Sequence, residues 1–229
     1  MLAPTPYQIK GQQMWLSADR CLFWQKAKAL IVSDLHFGKT GHFRKSGIAV
    51  PQGVFQEDLQ RLVSQVQYFR PEMLIFVGDL FHSVENKEFR WFKNWRENYP
   101  DLMIHLVKGN HDILDQERYA EASIFVHEDQ LTMEDFQFVH DISHVLSAKV
   151  RPGGYVFSGH IHPGIRVSGP GKQSLCFPCF YFGTEYAVLP AFSKFTGVAV
   201  IEPKAGESVF AIMSADRRTR QAGGIIQIQ

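Results

Sequence analysis

The sequence predicts an α/β protein, a four-layer αββα sandwich of two mixed β-sheets packed face to face with helices outside. Three observations predict it. In the first half, short continuous apolar runs of strand length alternate with segments whose apolar residues return at helical spacing. After Gly164 the pattern changes to short strands broken by Gly and Pro. The chain has 229 residues, 45% of them apolar and 13% aromatic, enough to bury one sizeable core, and it shows no seam where a second would begin. Residues 1–229 are therefore expected to form a single domain.

In chain order, "QMWLSADRCLFW" reads as a hairpin turning at Asp19, and Leu30–Val32 as a buried strand that stops in a loop carrying Asp34 and His36. A helix follows, with Phe55, Leu59, Leu62, Val63 and Val66 on one face. Met73–Val77 repeats the strand design ahead of Asp79, and "NKEFRWFKNWREN" puts Phe89, Phe92 and the indole of Trp95 or Trp91 on one helical face. "LMIHLVKGNHD" runs apolar to Val107 before Asn110 and His111. "MEDFQFVHD" ends a hairpin strand at His140, and Tyr155–Phe157 leads to His160 and His162. Short strands then follow in "SLCFPCFYFG", "EYAVLPAF", "GVAVIE" and "SVFAIM". There is no internal repeat and no low-complexity linker.

Composition narrows the setting. No apolar stretch approaches the roughly 18 residues of a membrane span, and the N-terminus lacks a basic flank followed by a hydrophobic run, so neither export nor a membrane is expected. Three cysteines are too few for a disulfide framework in a chain of this size, and a reducing cytoplasm fits best. Cys176 and Cys179 form a C-x-x-C among Phe177, Pro178, Phe180 and Tyr181, which reads as buried packing rather than redox or zinc chemistry. The net charge of +1 argues neither for nor against an anionic partner.

A single Asp or His at a strand end is ordinarily a turn or capping residue. The set is different. Asp-x-His, Gly-Asp, Gly-Asn-His-Asp, a strand-terminal His and Gly-His-x-His supply imidazole, carboxylate and amide oxygen, donors that suit Mn, Fe, Zn or Co better than Mg alone or a thiolate site. On an extended segment alternate residues face one side, so Asp34 with His36, and His160 with His162, are expected to point together, with Ile161 turned away into the fold. Gly78, Gly109 and Gly159 are expected to let the backbone turn tightly beside the donors.

The string "DLH…GD…GNHD…H…GHIH" resembles the calcineurin-like metallophosphoesterases, from about Ile31 to His162 in motifs and to about Ile201 in fold. The resemblance implies the metallo-dependent phosphatase fold with a two-metal site at the strand ends. It implies that Asp34, His36 and His162 bind one metal, that Asn110, His140 and His160 bind the other, and that Asp79 bridges both. It makes His111 the general acid, with Asp112 orienting its ring. Many members follow the middle histidine with glycine, whereas Asp141 follows His140 here, which keeps His144 as a reserve ligand and His127 behind it.

Two divalent metals roughly 3.5 to 4 Å apart can share a water, lower its pKa and clamp the attacking and leaving oxygens at phosphorus. A leaving alkoxide needs a proton, work suited to a histidine beside the metals but not bound to them. Manganese is the expected ion, with Fe, Zn or Co as substitutes.

A narrower resemblance, in "SDLHFGKTGHFRKSGIAVPQG", "GHIHPG", "CFPCFYFG" and "LPAFSKFTG", is to the PdeM subgroup of ligase-associated DNA-damage-response endonucleases, encoded near a DNA ligase and a helicase. It implies a phosphodiester substrate, single-stranded DNA among them, and a functional association with those two enzymes. Lys39, His42, Phe43, Arg44 and Lys45 put cations and an aromatic just past the first ligands, which suits either a nucleic-acid strand or a solvated loop. His82, three after Asp79, reads either as a cleft-lining residue or as a turn residue; Arg217, Arg218 and Arg220 read as an exposed tail or turn. The alternatives are a phosphomonoesterase or pyrophosphatase acting on a small nucleotide or phosphorylated metabolite, and a metal-free scaffold, against which the complete donor set argues.

Overall fold

The first seven strands form one sheet in chain order: β1 (Thr5–Ile9), β2 (Gln12–Ser17), β3 (Cys21–Trp24), β4 (Ala29–Ser33), β5 (Met73–Val77), β6 (Met103–Val107) and β7 (Ile124–His127). The computed structural model describes residues 2–39, 54–82, 87–143, 153–169, 173–213 and 223–229. Strands β1 to β4 are antiparallel neighbours, and β2 and β3 form the expected hairpin, with Ser17 opposite Cys21. From β4 to β7 the pairing is parallel. Parallel neighbours need crossovers, and the described helices fall in them: α1 (Val54–Phe69), α2 (Lys87–Arg96) and α3 (Gln116–Glu121).

Alternation along β4 to β6 sorts the core. Leu30, Val32, Leu74, Phe76, Ile104 and Leu106 face the helices, where they meet Leu62, Val66, Phe89, Phe92, Trp95 and Tyr119. Within α2 the buried stripe is Phe89, Phe92 and Trp95 at successive spacings of three, whereas Trp91 is 39% exposed. The indole on the core face is thus that of Trp95, and Trp91 does not share it.

On the sheet's other face, Ala29, Ile31, Ile75, Val77 and Val107 meet a second sheet across an aromatic core. That sheet comprises β8 (Gln130–Met133), β9 (Phe136–Val139), β10 (Tyr155–Ser158), β11 (Pro163–Ser168), β12 (Ser174–Phe182), β13 (Tyr186–Val188), β14 (Ala199–Val200), β15 (Ser208–Met213) and β16 (Gly224–Gln227). Its order is β14-β11-β12-β13-β10-β9-β8, with β15 pairing β12 and β16 pairing β15. Phe138 and Phe157 stack at 5.4 Å, and Trp24 reaches across from the first sheet to Phe136, edge to face at 4.9 Å. Each such ring buried contributes roughly 1.5–3 kcal/mol.

The architecture is the expected α/β sandwich of two mixed sheets. Among the described residues the helices lie on the outer face of the first sheet, while the outer face of the second carries Ile165, Cys179, Tyr181, Val188 and Val209. Cys179 is buried there but Cys176, three residues earlier, is exposed, because the first residues of β12, Ser174–Cys176, are exposed whichever face they lie on; both are free thiols. No described helix is long and apolar enough to cross a membrane. Two parallel segments, β4-β5-β6 and β9-β10-β13, direct their C-terminal ends to the same seam, where ligands of open α/β sheets gather.

Candidate metal centre

Past the ends of β4 and β5 the two chains run on side by side. Asp34 N donates to Gly78 O at 3.2 Å, His36 N to Asp79 O at 2.8 Å and Phe37 N to Leu80 O at 2.8 Å. They do not continue as extended strand. Asp34, His36 and Asp79 have φ of +52°, +51° and +51°, and His160 and His162 have φ of +66° and +53°. Left-handed backbone costs a residue with a Cβ roughly 1–2 kcal/mol. Among the described residues six other non-glycines adopt it, and those sit in turns between elements, whereas these five all aim donors at one point. Strain gathered at a single locus is a mark of a functional site.

This corrects the picture of extended Asp-x-His and His-x-His segments. Leu35 does point into the core, but Ile161 is 37% exposed and does not enter the fold. With His160 and His162 both left-handed, and Ile161 N bonded to Gly159 O at 2.8 Å, the loop turns that side chain to solvent.

The donors converge as two groups. Asp34, His36 and His162 each offer an atom within 4.8 Å of the others. His36 Nε2 lies 3.3 Å from His162 Nε2, and His162 Nε2 lies 3.2 Å from Asp34 Oδ1. In the second group His140 Nε2 stands 3.1 Å from Asn110 Oδ1 and 3.2 Å from His160 Nδ1. Asp79 lies between them, its Oδ2 3.8 Å from His36 Nε2 and 3.5 Å from His140 Nε2. Asp34 also approaches the second group, sharing a 4.8 Å cluster with Asp79 and His140. Neighbouring donors on one ion with bonds near 2.1 Å stand roughly 3.0–3.5 Å apart, so this set fits divalent metals in spacing and in chemistry. Burial grades across it: Asp34, His36, Asp79 and His140 are buried, while Asn110 and His160 open to solvent.

The electrostatics favour ligation. Burial, then the Lys39 ammonium, pushes His36 down to about 2, so its ring is neutral with a free lone pair. Burial alone would raise the Asp34 carboxyl, but the hydrogen bond and charge of His162, helped by His140 and Ser33, outweigh it and hold Asp34 below the usual carboxylate range. The Asp34 carboxylate also accepts the His160 N–H, at 3.1 Å to Oδ2, and a bond from the Ser33 hydroxyl. Asp79 is aimed by its other oxygen, since Oδ1 accepts the His111 N–H at 2.9 Å. His140 Nδ1 reaches Val77 O at 3.3 Å, which directs Nε2 at the cluster. Ser33 and Val77 escaped the sequence reading, the one a strand residue and the other acting only through its carbonyl.

Asp112 does not hold the His111 ring. Oδ1 accepts the Leu80 and Phe81 N–H at 2.9 and 3.0 Å, and Oδ2 accepts the Gly109 N–H at 2.9 Å, so the side chain ties two ligand loops together. Burial raises its pKa to about 6. The His111 ring lies instead against His82, centroids 4.2 Å apart, and both rings stand 5.7 Å from that of His36. Lys39 is half-buried; burial lowers its pKa, opposed by the charges of Asp79 and Asp34.

The glycines leave room more than they turn. A Cβ on Gly159 would sit 1.9 Å from Ser33 Oγ, and one on Gly109 2.3 Å from Asp79 Oδ1. Gly78 needs both freedoms, with φ of +78° and a Cβ position 1.8 Å from His140 Nδ1. His127 is apart from the centre, its Nε2 3.0 Å from His105 Nδ1. Phe43 and Arg44, with His42, Lys45, His144, Arg217, Arg218 and Arg220, lie outside the described residues.

No curated protein matches the chain. Among solved structures, nuclease MPE from Pseudomonas putida is 28% identical, with a TM-score of 0.75, covering 91% of this chain and 96% of that one. A protein of unknown function from Aquifex aeolicus is 17% identical over 58% of this chain and 78% of its own, TM-score 0.44. The phosphoesterase Yfce from E. coli is 15% identical over 88% of this chain and 99% of its own, TM-score 0.41. The sequence profile of calcineurin-like phosphoesterases matches residues 27–163, more than half the chain and the stretch that carries every donor described above, and the chain belongs to that family of metal-dependent phosphoesterases.

Proposed function

We propose that this enzyme is a two-metal phosphodiesterase that cuts DNA, with single-stranded DNA among its substrates, as an endonuclease in DNA repair. The observation that carries the reading is the divided donor cluster, with Asp79 between its halves. Similarity to the P. putida nuclease over nearly the whole of both chains supports the nucleic-acid substrate.

In this reading Asp34, His36 and His162 hold one ion, Asn110, His140 and His160 hold the other, and Asp79 contacts both. Bound divalent ions supply Lewis acidity at the phosphoryl oxygens and a water activated near neutral pH. Manganese suits the mixed nitrogen and oxygen donors, with Fe, Zn or Co as substitutes. The protein's own groups do the rest. His111, half-buried at the edge of the cluster, gives its imidazole proton to the leaving oxygen, and Asp112 keeps its loop in register with the Asp79 loop. Lys39 and His82, joined by Phe43 and Arg44, take the phosphate and base beside the cut. A cytoplasmic location and functional association with a DNA ligase and a helicase belong to the same reading, through the subgroup strings.

The test is an assay of purified protein with Mn2+ against single-stranded DNA, a generic phosphodiester and a phosphomonoester. Cleavage of the DNA and the diester is expected. Activity on the monoester alone would sink the nuclease reading in favour of a small-molecule phosphatase.

A further inference from the structure

The segment Ala191–Ser193, in the loop after β13, is held on both edges. On one edge it forms a parallel bridge with the end of β4: Phe192 N donates to Ser33 O at 2.8 Å and Ser193 N to Asp34 O at 3.2 Å. On the other edge, three consecutive carbonyls each accept from an arginine. Arg20 Nη1 donates to Ala191 O at 3.2 Å and to Ser193 O at 2.8 Å, and Arg61 Nη2 donates to Phe192 O. Arg61 is itself fixed, its Nη2 2.7 Å from Asp58 Oδ1 and its guanidinium 4.2 Å above the centre of the Phe192 ring. Ala191, Phe192 and Ser193 are all buried.

The strained residue at the end of this relay is Asp34. Its left-handed backbone is gripped at N by Gly78 O and at O by Ser193 N, and its carboxylate is fully buried. We infer that Arg20 and Arg61 are positioning residues for Asp34: by holding segment 191–193 they keep its carboxylate aimed at His36 and His162 and so set the metal affinity of that half of the centre. The inference rests on the metal reading above. Arginine is suited to the task, since its planar guanidinium presents several N–H donors in a fixed geometry.

The experiment compares Arg61→Met, Arg61→Lys and Arg20→Met with Val66→Ala, a core truncation on the same helix as Arg61. Readouts are Mn2+ binding by calorimetry, the Mn2+ dependence of diester cleavage, and Tm. Loss of an outer contact to a ligand weakens metal binding by about 10- to 100-fold. Arg61→Met and Arg20→Met are expected to need at least about tenfold more Mn2+ for half-maximal rate, with the rate at saturating Mn2+ largely kept, and Arg61→Lys to recover part of the loss. Val66→Ala is expected to lower Tm and leave the Mn2+ requirement unchanged. Wild-type Mn2+ affinity in both methionine variants, or an equal loss in Val66→Ala, would overturn the inference. If the wild-type protein binds no Mn2+, or Asp79→Ala binds as much as wild type, the metal reading itself has failed.

Discussion

The two sheets contribute differently to the centre. The first delivers Asp34, His36, Asp79 and Asn110 from the ends of β4, β5 and β6, and with them every oxygen donor; the second delivers His140, His160 and His162 from β9 and β10, imidazoles only. Carboxylates sit at the bottom of the seam, where backbone N–H groups from both sheets offset the cost of burying charge: His111 N serves Asp79, and His160 N serves Asp34. Imidazole donors bring no obligatory negative charge to bury and can arrive from the opposite wall. Neither sheet holds all the donors of either group, so the cluster exists only while the aromatic core between the sheets keeps them in register.

The sharpest test of that division is Asp79→Ala, which removes the carboxylate whose Oδ2 lies between His36 and His140. We expect activity to fall by more than roughly a hundredfold, beyond the usual effect of losing an outer contact, with bound metal reduced as well. His160→Ala, on the second sheet and open to solvent, is expected to lose metal from one half only, so elemental analysis should separate the two variants. Wild-type metal content in Asp79→Ala would break the comparison.

Next in size are the close approaches at the seam. Gly78→Ala drives a methyl into the His140 ring and forces a Cβ into left-handed backbone, costs of roughly 1–3 and 1–2 kcal/mol respectively. Gly159→Ala meets only the first, against Ser33 and Asp34. Denaturant unfolding should rank Gly78→Ala as the less stable. Equal stability would mean the seam yields easily.

Asp112→Ala strands the N–H groups of Leu80, Phe81 and Gly109 and is expected to destabilise by a few kcal/mol, about 1–3 for each group left unpaired. Had Asp112 served the His111 ring, the same change would alter the pH profile of cleavage and leave Tm nearly intact. The two readouts distinguish these roles.

The smallest effect lies outside the centre. Burial, then the neighbouring ring, lowers the His105 pKa, and burial lowers that of His127. The folded chain therefore binds protons at these rings less tightly than the unfolded one. Stability from this pair is full above an unfolded value of about 6.5 and is lost as pH falls below it. A His105→Gln/His127→Gln double variant is expected to lose less stability than wild type between pH 7 and 5; an identical loss would show the pair to be electrostatically silent.

Much of the frame was legible because β4, β5 and β10 are buried along their whole length and so read as short apolar runs, as in "MLIFV", whose limits match β5. The helices α1 and α2 were legible from their apolar spacing. Short α3, with the single buried side chain Tyr119, carries too little periodicity to be read. Trp91 and Trp95 could not be told apart until packing chose a stripe, and an i, i+2 pattern carries no sign of φ.

By itself, then, the sequence determined the donor types, their order along the chain and their place at strand ends, because composition and apolar run length are local properties. Tertiary structure decided the rest. His36 and His162 meet across 126 residues of chain, and Asp34 is held by a loop and two arginines remote from it in sequence. The left-handed turns at the five donors are locally unfavourable and stand only because bonds across the seam outweigh their cost, a balance that exists once both sheets are in place.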